Sequence, residues 1–355
     1  MKIPNYQEAL NAFAYPPHDF TVEELGNGLI NQTFKVTSNE NGTTFLLQEI
    51  NDNVFSNPEH IQLNYEMLWK HMQTEECDFV IPEPKYFSDK SPLYFDSHNH
   101  YWRIFEFMPG TKTLTIASDV NQVRAVAETF AGFTACFKSF DAKRLYPTIP
   151  GFHNLSLRYK QFNSSLHSRN YERLSKASVL VEELKKREHY VSFYDVITES
   201  EEFPVRVLHH DAKIANVLFD EDTGEVVCPV DFDTVMPGYF FSDLGDMIRT
   251  MTCTKAEGST AFDEIGIRGD FYQALLDGYL SILGNQLTNA EKKYIHFSGL
   301  CLIYMQALRF LADYLNGDTY YKTTYIDQNV DRAKNQVQLL QKLEDFLQLT
   351  FHFKI

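Results

Sequence analysis

Polar residues that could do chemistry lie between apolar runs in residues 207–220, which read VLHHDAKIANVLFD. Asp211 and Asn216 are five positions apart, and Asp231 follows the next apolar run in the stretch VDFDTVMPG. Asp and Asn are poor strand formers, so packing alone does not explain why they occupy these positions. A carboxylate on a loop can accept a proton, and carboxylate and amide oxygens suit a hard divalent cation. The pattern therefore indicates a site that combines a base with metal ligands.

The composition is that of an acidic globular chain. Its 355 residues carry a formal net charge of −16, and 44% of them are hydrophobic. A chain with this charge repels nucleic acid and anionic membrane surfaces over most of its area, so we expect neither as a partner. No sequence feature implies a protein partner. The length favours two domains.

The cysteines and the N-terminus bear on the compartment. The five cysteines are scattered and form no CxxC pair, which argues against a disulfide framework or a zinc site. The N-terminal stretch MKIPNYQEALNAF has no apolar core run, so it does not resemble a signal peptide. No apolar stretch reaches the roughly 18 residues that span a bilayer. We therefore expect a cytoplasmic protein.

Hydrophobic periodicity predicts two different halves. Residues 1–108 favour a small antiparallel sheet with one main helix, because the runs 20–26, 31–37 and 43–50 alternate apolar and polar residues. Asn41-Gly42 is a hairpin turn signal, and Pro58 suits the first turn of a helix. Residues 109–355 favour a mostly helical domain, broken by the short strand pair VLFD and VVCPVDFD.

Helix signals near the C-terminus predict two long helices. Thr288 and Glu291 form a capping-box pattern that should open one of them, and Asn316-Gly317 should close it. The last helix is expected from about Asp327 to Phe346.

A β-rich lobe followed by a helical lobe with HxDxxxxN and a later Asp resembles the protein-kinase-like fold, an α+β architecture with an N-terminal lobe and a larger C-terminal lobe. The chain is similar to the aminoglycoside phosphotransferase and choline kinase family, and within it to the N-acetylhexosamine 1-kinases. The resemblance extends from GNGLINQTF at residue 26 to ALRFLADYLNGDTYY at residue 307. It implies ATP and Mg²⁺ as cofactors and a phosphoryl transfer reaction.

Phosphoryl transfer assigns a task to each residue of the opening motif. Asp211 would accept the proton of the acceptor hydroxyl, and Lys213 would hold the transferring phosphate. Asn216 and Asp231 would provide oxygens to Mg²⁺. The alternative is that Asp211 and Asn216 only cap a helix or close a turn.

The nucleotide is expected in residues 1–108. The resemblance places the loop that covers the phosphates at Gly26, Asn27 and Gly28. Gln48 stands on the third strand where most kinases have a lysine, and the hexosamine kinases have a similar glutamine. Glu66 corresponds to the glutamate that steadies the phosphate-binding residue, although an exposed helix glutamate explains it equally well.

The run YWRIFEFMPG should read the adenine through backbone groups near Glu106 and Met108. In the helical half, His209 is expected to brace the catalytic loop. Asp243 and Asp246 should be structural, with Arg249 as a partner, because buried carboxylates need partners.

The acceptor side follows from the resemblance alone. ALRFLADYLNGDTYY is similar to a stretch in which hexosamine kinases contact the sugar, and this implies sugar contacts from Arg309 and Tyr320. The alternative for Arg309 is an ion pair with Asp313 on one helix face. Leu29 departs from the hexosamine kinases, which tend to have a histidine there, so the identity of the sugar is open.

These observations predict a kinase that phosphorylates the anomeric hydroxyl of an N-acetylhexosamine, with a small-molecule sugar as its partner. The alternatives are a kinase for another small alcohol (an aminoglycoside, choline or homoserine) and a nucleotide-binding module without catalysis. An acidic acceptor pocket would favour a cationic alcohol. A pocket rich in aromatic and hydrogen-bonding groups would favour a sugar.

Overall fold

The computed structural model describes residues 6–13, 20–25, 30–75, 77, 79–168 and 170–355. Gly26, Asn27, Gly28 and Leu29 lie outside the described residues, so the expected phosphate-covering loop stays a prediction. The chain divides into two compact units. The first comprises Met1–Lys112, Ser139–Pro150 and Leu218–Met236, and the second comprises Thr113–Lys138, Gly151–Val217 and Pro237–Ile355. The predicted domain bounds, 1–108 and 109–355, stay a prediction.

The elements up to residue 113 are mostly strands: α1 (Tyr6–Phe13), β1 (Phe20–Glu24), β2 (Gln32–Ser38), β3 (Thr44–Ile50), α2 (Pro58–Thr74), β4 (Pro84–Lys85), β5 (Tyr94–Phe95), β6 (Tyr101–Glu106) and β7 (Thr111–Thr113). Helices and short strands follow: α3 (Val120–Cys136), α4 (Leu155–Ser165), α5 (Tyr171–Lys176), α6 (Ser178–Lys185), α7 (His189–Glu199), β8 (Arg206–Leu208), β9 (Val217–Asp220), β10 (Val226–Pro229) and β11 (Met236–Gly238). The last elements are helical: α8 (Phe241–Met251), α9 (Gly269–Leu283), α10 (Asn289–Lys293), α11 (Phe297–Leu315) and α12 (Gln328–Phe351).

The first unit is built on an antiparallel sheet in the order β1-β2-β3-β6-β4, with β5 paired to β6. The alternation of apolar residues sends Val36, Leu47 and Trp102 to one buried face, against which Ala9 and Leu10 of α1 pack. The turn between β2 and β3 contains Gly42 at φ 73°, as the Asn-Gly signal predicts. The ladder between β3 and β6 sets Gln48 directly opposite Arg103.

Helix α2 of the first unit begins at Pro58, in agreement with the sequence prediction. Its buried side includes Ile61, Tyr65 and Leu68, which follow helical spacing. The Tyr65 ring packs on Phe232, and this contact joins α2 to the turn after β10.

The second unit is organised around α11, whose residues are almost all buried. This helix packs on α4, α8 and α12, and α3 packs on α9. A Cβ atom at Gly245 of α8 would overlap the carbonyl oxygen of Ser298 at the start of α11. Glycine at 245 therefore allows the two helices to approach closely.

The capping box is present, but the helix it opens is short. The Thr288 hydroxyl accepts from the Glu291 N–H at 3.0 Å, and the Glu291 carboxylate accepts from the Thr288 N–H at 2.8 Å. The prediction of one long helix from this cap is wrong, because α10 ends at Lys293 and α11 begins at Phe297. The intervening turn is fixed by a 2.7 Å hydrogen bond between His296 and Tyr272. The amino-acid pattern around residue 296 does not predict this contact, because Tyr272 lies on a different element, helix α9.

The cysteine expectation is also corrected. Cys77 and Cys136 are each disulfide-bonded, so the argument against disulfides is wrong for these two residues. Cys228, Cys253 and Cys301 are free and buried. Within the described residues, no helix is both long enough and apolar enough to cross a membrane.

Candidate active site

Asp211 lies on the loop after β8, and two neighbouring side chains hold its carboxylate. The Lys213 ammonium donates to Oδ2 at 2.7 Å, and the Asn216 amide donates to the same oxygen at 2.8 Å. The Asn216 amide also donates to the Asp211 carbonyl oxygen at 2.9 Å, across the turn Ile214–Asn216. The structure thus brings together three residues that the motif singles out.

The Asp211 carboxylate keeps its charge. Burial raises the pKa of this carboxyl, but the Lys213 ammonium, His209 and the Asn216 amide outweigh it, and the net pKa lies below the ordinary value. Asp211 is therefore ionised at neutral pH and can accept a proton. The predicted contact between Lys213 and a phosphate stays a prediction. An ammonium has three donors, and one of them binds Asp211.

Two buried carboxylates have structural partners, as predicted, and one of them, Asp243, braces this loop. Asp243 accepts hydrogen bonds from the backbone N–H groups of His209 at 2.9 Å and His210 at 2.7 Å. Burial raises the pKa of Asp243 to about 7. Asp246 pairs with Arg249 at 2.8 Å. Asp243 therefore supports the loop directly, and Asp246 is a buried carboxylate paired with Arg249.

His209 is also a support. Its ring is fully buried with edge contacts to Phe130 and Phe133, and its Nδ1 accepts from the Asp211 N–H at 3.3 Å. This confirms the expectation that His209 braces the loop.

His210 forms a buried pair that the sequence did not reveal. Its Nδ1 lies 3.3 Å from Nδ1 of His153, so one ring donates and the other accepts. The His210 backbone has φ 63°, and a Cβ atom at Gly238 would come within 2.5 Å of its ring. Burial, followed by the charges of His210 and Arg309, lowers the pKa of His153 well below its usual value. His153 is therefore neutral at neutral pH.

In the first unit, Asp231 precedes the turn Phe232–Thr234 with an exposed side chain and φ 65°. Asp and Asn tolerate this left-handed conformation better than most residues. The carboxylate of Asp231 and the amide oxygen of Asn216 are hard oxygen donors, which fit Mg²⁺. Within the described residues, no group of three or more His, Cys, Asp or Glu could hold a metal ion.

Gln48 takes part in a buried polar network. Its Oε1 accepts from Arg103 Nε at 2.8 Å, and its Nε2 donates to the Thr33 hydroxyl at 2.9 Å. Arg103 also pairs with Asp233, and Asp233 accepts from the Asn31 amide. Arg103 and Asp233 were not predicted. The sequence contained one indication of this network: Arg103 is a charged residue inside the apolar strand YWRIF, and a buried charge needs a partner.

Glu66 contacts neighbours on its own side of α2. Its carboxylate lies 3.8 Å from Lys70 Nζ, and the Tyr86 hydroxyl donates to it. Within the described residues the structure does not bring Glu66 to Gln48. The expected role of Glu66 beside the phosphates thus receives no support from this geometry.

The segment after β6 uses some of its backbone groups for hydrogen bonds within the protein. The Glu106 N–H donates to the Glu83 carbonyl at 2.8 Å, and the Met108 carbonyl accepts from the Thr111 hydroxyl at 2.8 Å. Within the described residues, the Met108 N–H has no hydrogen-bond partner. The expected role of Glu106 and Met108 at the adenine stays a prediction.

In the second unit, Arg309 and Tyr320 lie together among aromatic rings. The guanidinium lies 5.3 to 5.6 Å from the ring centres of Phe152, Tyr320 and Tyr321. Its Nη2 is 3.5 Å from the Tyr320 hydroxyl, and its Nη1 donates to Gln306 at 3.1 Å. Among the described residues, the side-chain partners of Arg309 are Gln306 and Tyr320, and neither is a carboxylate.

The alternative pairing of Arg309 with Asp313 is wrong. Asp313 is buried, and its carboxylate accepts from the backbone N–H groups of Thr319, Tyr320 and Tyr321 at 2.8 to 3.0 Å. Asp313 therefore shapes the loop that carries Tyr320, and it does not neutralise Arg309.

An antiparallel sheet in the first unit, a largely helical second unit and the HxDxxxxN loop define the class as protein-kinase-like, which confirms the predicted fold. Residues 21–283 match the model of the phosphotransferase enzyme family, APH. The chain belongs to this family.

Solved structures of similar proteins cover nearly the whole chain. An aminoglycoside phosphotransferase from Alicyclobacillus acidocaldarius subsp. acidocaldarius has 13% identity and a TM-score of 0.64, over 99% of this chain and 98% of that one. A microcompartment-associated aminopropanol kinase has 16% identity and a TM-score of 0.60, over 97% of each chain. An aminoglycoside 2′-phosphotransferase-IIIa, solved as its GDP complex, has 12% identity and a TM-score of 0.55, over 91% of this chain and 94% of that one. At these identities the likeness is one of fold.

Proposed function

We propose that this protein is an ATP- and Mg²⁺-dependent kinase that phosphorylates a hydroxyl group of a small molecule. The observation that carries the proposal is the Asp211 carboxylate, ionised and held by Lys213 and Asn216 in a chain of the phosphotransferase family. A positioned carboxylate of this kind can orient the acceptor hydroxyl and take its proton.

The nucleotide would be held by several parts of the chain. Asn216 and Asp231 are the proposed Mg²⁺ ligands, and Mg²⁺ when bound neutralises phosphate charge. The backbone at Glu106 and Met108 would bind the adenine, which the available N–H of Met108 supports. Gly26, Asn27 and Gly28 are proposed to cover the phosphates. The related phosphotransferase in complex with GDP is consistent with a nucleotide substrate.

We propose an N-acetylhexosamine as the acceptor, phosphorylated at its anomeric hydroxyl. Arg309 and Tyr320 would contact the sugar, since the guanidinium and the phenol offer donors and ring faces that suit hydroxyl groups and an acetamide. The charge near Arg309 supports this choice. Arg158 lies nearby, and burial, followed by the charge of Arg309, lowers its pKa to about 10. A basic, aromatic environment disfavours a cationic acceptor.

A cationic alcohol is the second candidate. An aminopropanol kinase and an aminoglycoside phosphotransferase are among the most similar structures. An acceptor of that kind needs carboxylates that can pair with its ammonium groups, and among the described residues no carboxylate forms an ion pair with Arg309. A module that binds nucleotide without catalysis is the third candidate, and the arrangement around Asp211 speaks against it. We further propose that the protein acts in the cytoplasm and that the lobes divide near residue 108.

A screen of acceptors tests the proposal. The purified protein is incubated with ATP and Mg²⁺ and with N-acetylglucosamine, N-acetylgalactosamine, unacetylated hexoses, aminoglycosides, choline, homoserine and aminopropanol, and phosphorus NMR locates the product phosphate. We expect a sugar 1-phosphate from an N-acetylhexosamine. Transfer only to amino alcohols would overturn the sugar assignment, and nucleotide binding without any transfer would favour the third candidate.

A further inference from the structure

The first unit lacks a lysine where kinases usually place the cation that contacts the nucleotide phosphates. In protein kinases this lysine is on the third strand and pairs with a glutamate of the adjoining helix. Here the third strand carries Gln48, a neutral residue, and Glu66 contacts Lys70 and Tyr86. The chain has a net charge of −16, so without a cation at this position it would repel the nucleotide phosphates.

A buried cation lies one strand away. Arg103 on β6 is directly opposite Gln48 in the ladder, and its side chain is only 3% exposed. Its Nε and Nη2 both donate to Gln48 Oε1, and Nη2 also pairs with Asp233. Gln48 therefore orients this guanidinium, and Asp233 is its carboxylate partner.

The network also reaches the segments that flank the nucleotide. Asp233 is two residues after Asp231, the proposed metal ligand, and it accepts from Asn31, which follows the GNG stretch. Asn31 in turn accepts from the Asn51 N–H at 2.9 Å, at the end of β3. One buried cluster thus joins β3, β6, Asn31 and the turn that follows Asp231.

The hydrogen-bond capacity of Arg103 is not exhausted. A guanidinium has five N–H donors, and the bonds above use those of Nε and Nη2. Among the described residues, Nη1 has no hydrogen-bond partner, and its two N–H groups remain available. A buried arginine that is held by two neighbours and keeps two unused N–H groups is suited to bind a phosphate oxygen.

We propose that Arg103 replaces the missing lysine and binds the nucleotide phosphates through Nη1, with Gln48 and Asp233 as the residues that position it. This inference rests on the proposed function, because it concerns the same nucleotide. The proposal also explains why residue 48 is a glutamine. The amide oxygen of Gln48 accepts from the Arg103 guanidinium, whereas a lysine at position 48 would repel that guanidinium.

The test measures the dissociation constant of MgADP by titration calorimetry, together with the melting temperature. Arg103→Gln removes the charge and should weaken MgADP binding on the order of ten- to a hundredfold, the loss expected for one charge-assisted hydrogen bond. Arg103→Lys keeps the charge and should retain most of the affinity. The double variant Gln48→Lys with Arg103→Gln returns the cation to the third strand and should recover at least part of the lost affinity.

A matched control is Arg206→Gln, which breaks a buried arginine–carboxylate pair with Glu291 in the second unit. It should lower the melting temperature and leave the MgADP constant unchanged. Arg103→Gln could fold and bind MgADP with unchanged affinity while its melting temperature falls as in the control. This result would show that Arg103 has only a structural role, and it would overturn the inference. Absence of MgADP binding in the wild-type protein would overturn the proposed function, and the inference with it.

Discussion

At the scale of single residues, Asp211 is the group on which the chemistry depends. Its carboxylate is ionised because the neighbouring ammonium and amide stabilise the charge more than burial opposes it. Asp211→Asn keeps the shape and removes the base, so turnover should fall on the order of 10²–10⁴-fold with little change in MgADP affinity. Single-turnover kinetics and calorimetry measure the two effects. Asp222→Asn, on an exposed turn, is the matched control, and wild-type turnover in Asp211→Asn would remove Asp211 from the mechanism.

The two proposed metal ligands differ in charge, and this gives a second prediction. Asp231 offers an anionic oxygen and Asn216 a neutral one, so Asp231→Ala should weaken Mg²⁺-dependent nucleotide binding more than Asn216→Ala. Asn216→Ala should still lower turnover, because Asn216 holds the Asp211 carboxylate. Titration of Mg²⁺ at fixed nucleotide gives the order, and the reverse order would contradict the ligand assignment.

At the scale of elements, helix α11 and the loop after it present the proposed acceptor contacts. Arg309→Ala should raise the KM for the acceptor on the order of ten- to a hundredfold and leave the KM for ATP nearly unchanged, because a charge-assisted hydrogen bond is lost only to the acceptor. The melting temperature should change little, since Arg309 has no carboxylate partner in the described residues.

Asp313→Ala separates loop position from direct contact. Its carboxylate holds three backbone N–H groups of the loop, so the variant should raise the acceptor KM and also lower the melting temperature. Steady-state kinetics with thermal denaturation distinguish the two variants. A melting temperature that fell equally in both would indicate that Arg309 belongs to the fold and not to the acceptor site.

At the scale of the whole molecule, buried titrating groups make stability depend on pH in opposite directions. Asp243 has its pKa raised to about 7 by burial, so the native state holds a proton that the unfolded chain loses near pH 4. Its contribution to stability is present at low pH and is lost as the pH rises towards 7. His296 has its pKa lowered to about 4 by burial, so its contribution is lost as the pH falls below about 6.5.

Asp243→Asn should therefore remove the part of this pH dependence that comes from Asp243. The variant is destabilised at every pH, because an amide cannot accept both loop N–H groups. The destabilisation should be largest near pH 4 and shrink towards pH 7, by up to about 1.4 kcal/mol per pH unit. Urea unfolding of both proteins across this range measures it. A constant difference between the two proteins would mean that Asp243 does not titrate in this window.

The sequence alone determined the parts of the protein that depend on local pattern. Alternating residues and Asn41-Gly42 predicted the hairpin of β2 and β3, because side chains of a strand point to opposite faces and an Asn-Gly turn matches strand twist. The spacing of Asp211, Lys213 and Asn216 predicted their proximity, because residues within five positions of one another stay close in space on a tight turn.

Only the tertiary structure decided which distant residues meet. It paired Gln48 with Arg103 and Asp233, His153 with His210, and Asp313 with the loop before α12. It also ended α10 at Lys293. The physical reason is the same in each case: a buried charge or polar atom needs a partner, but the chain can provide that partner from any position. The sequence thus shows that a buried polar group requires a partner, and the tertiary structure determines which residue that partner is.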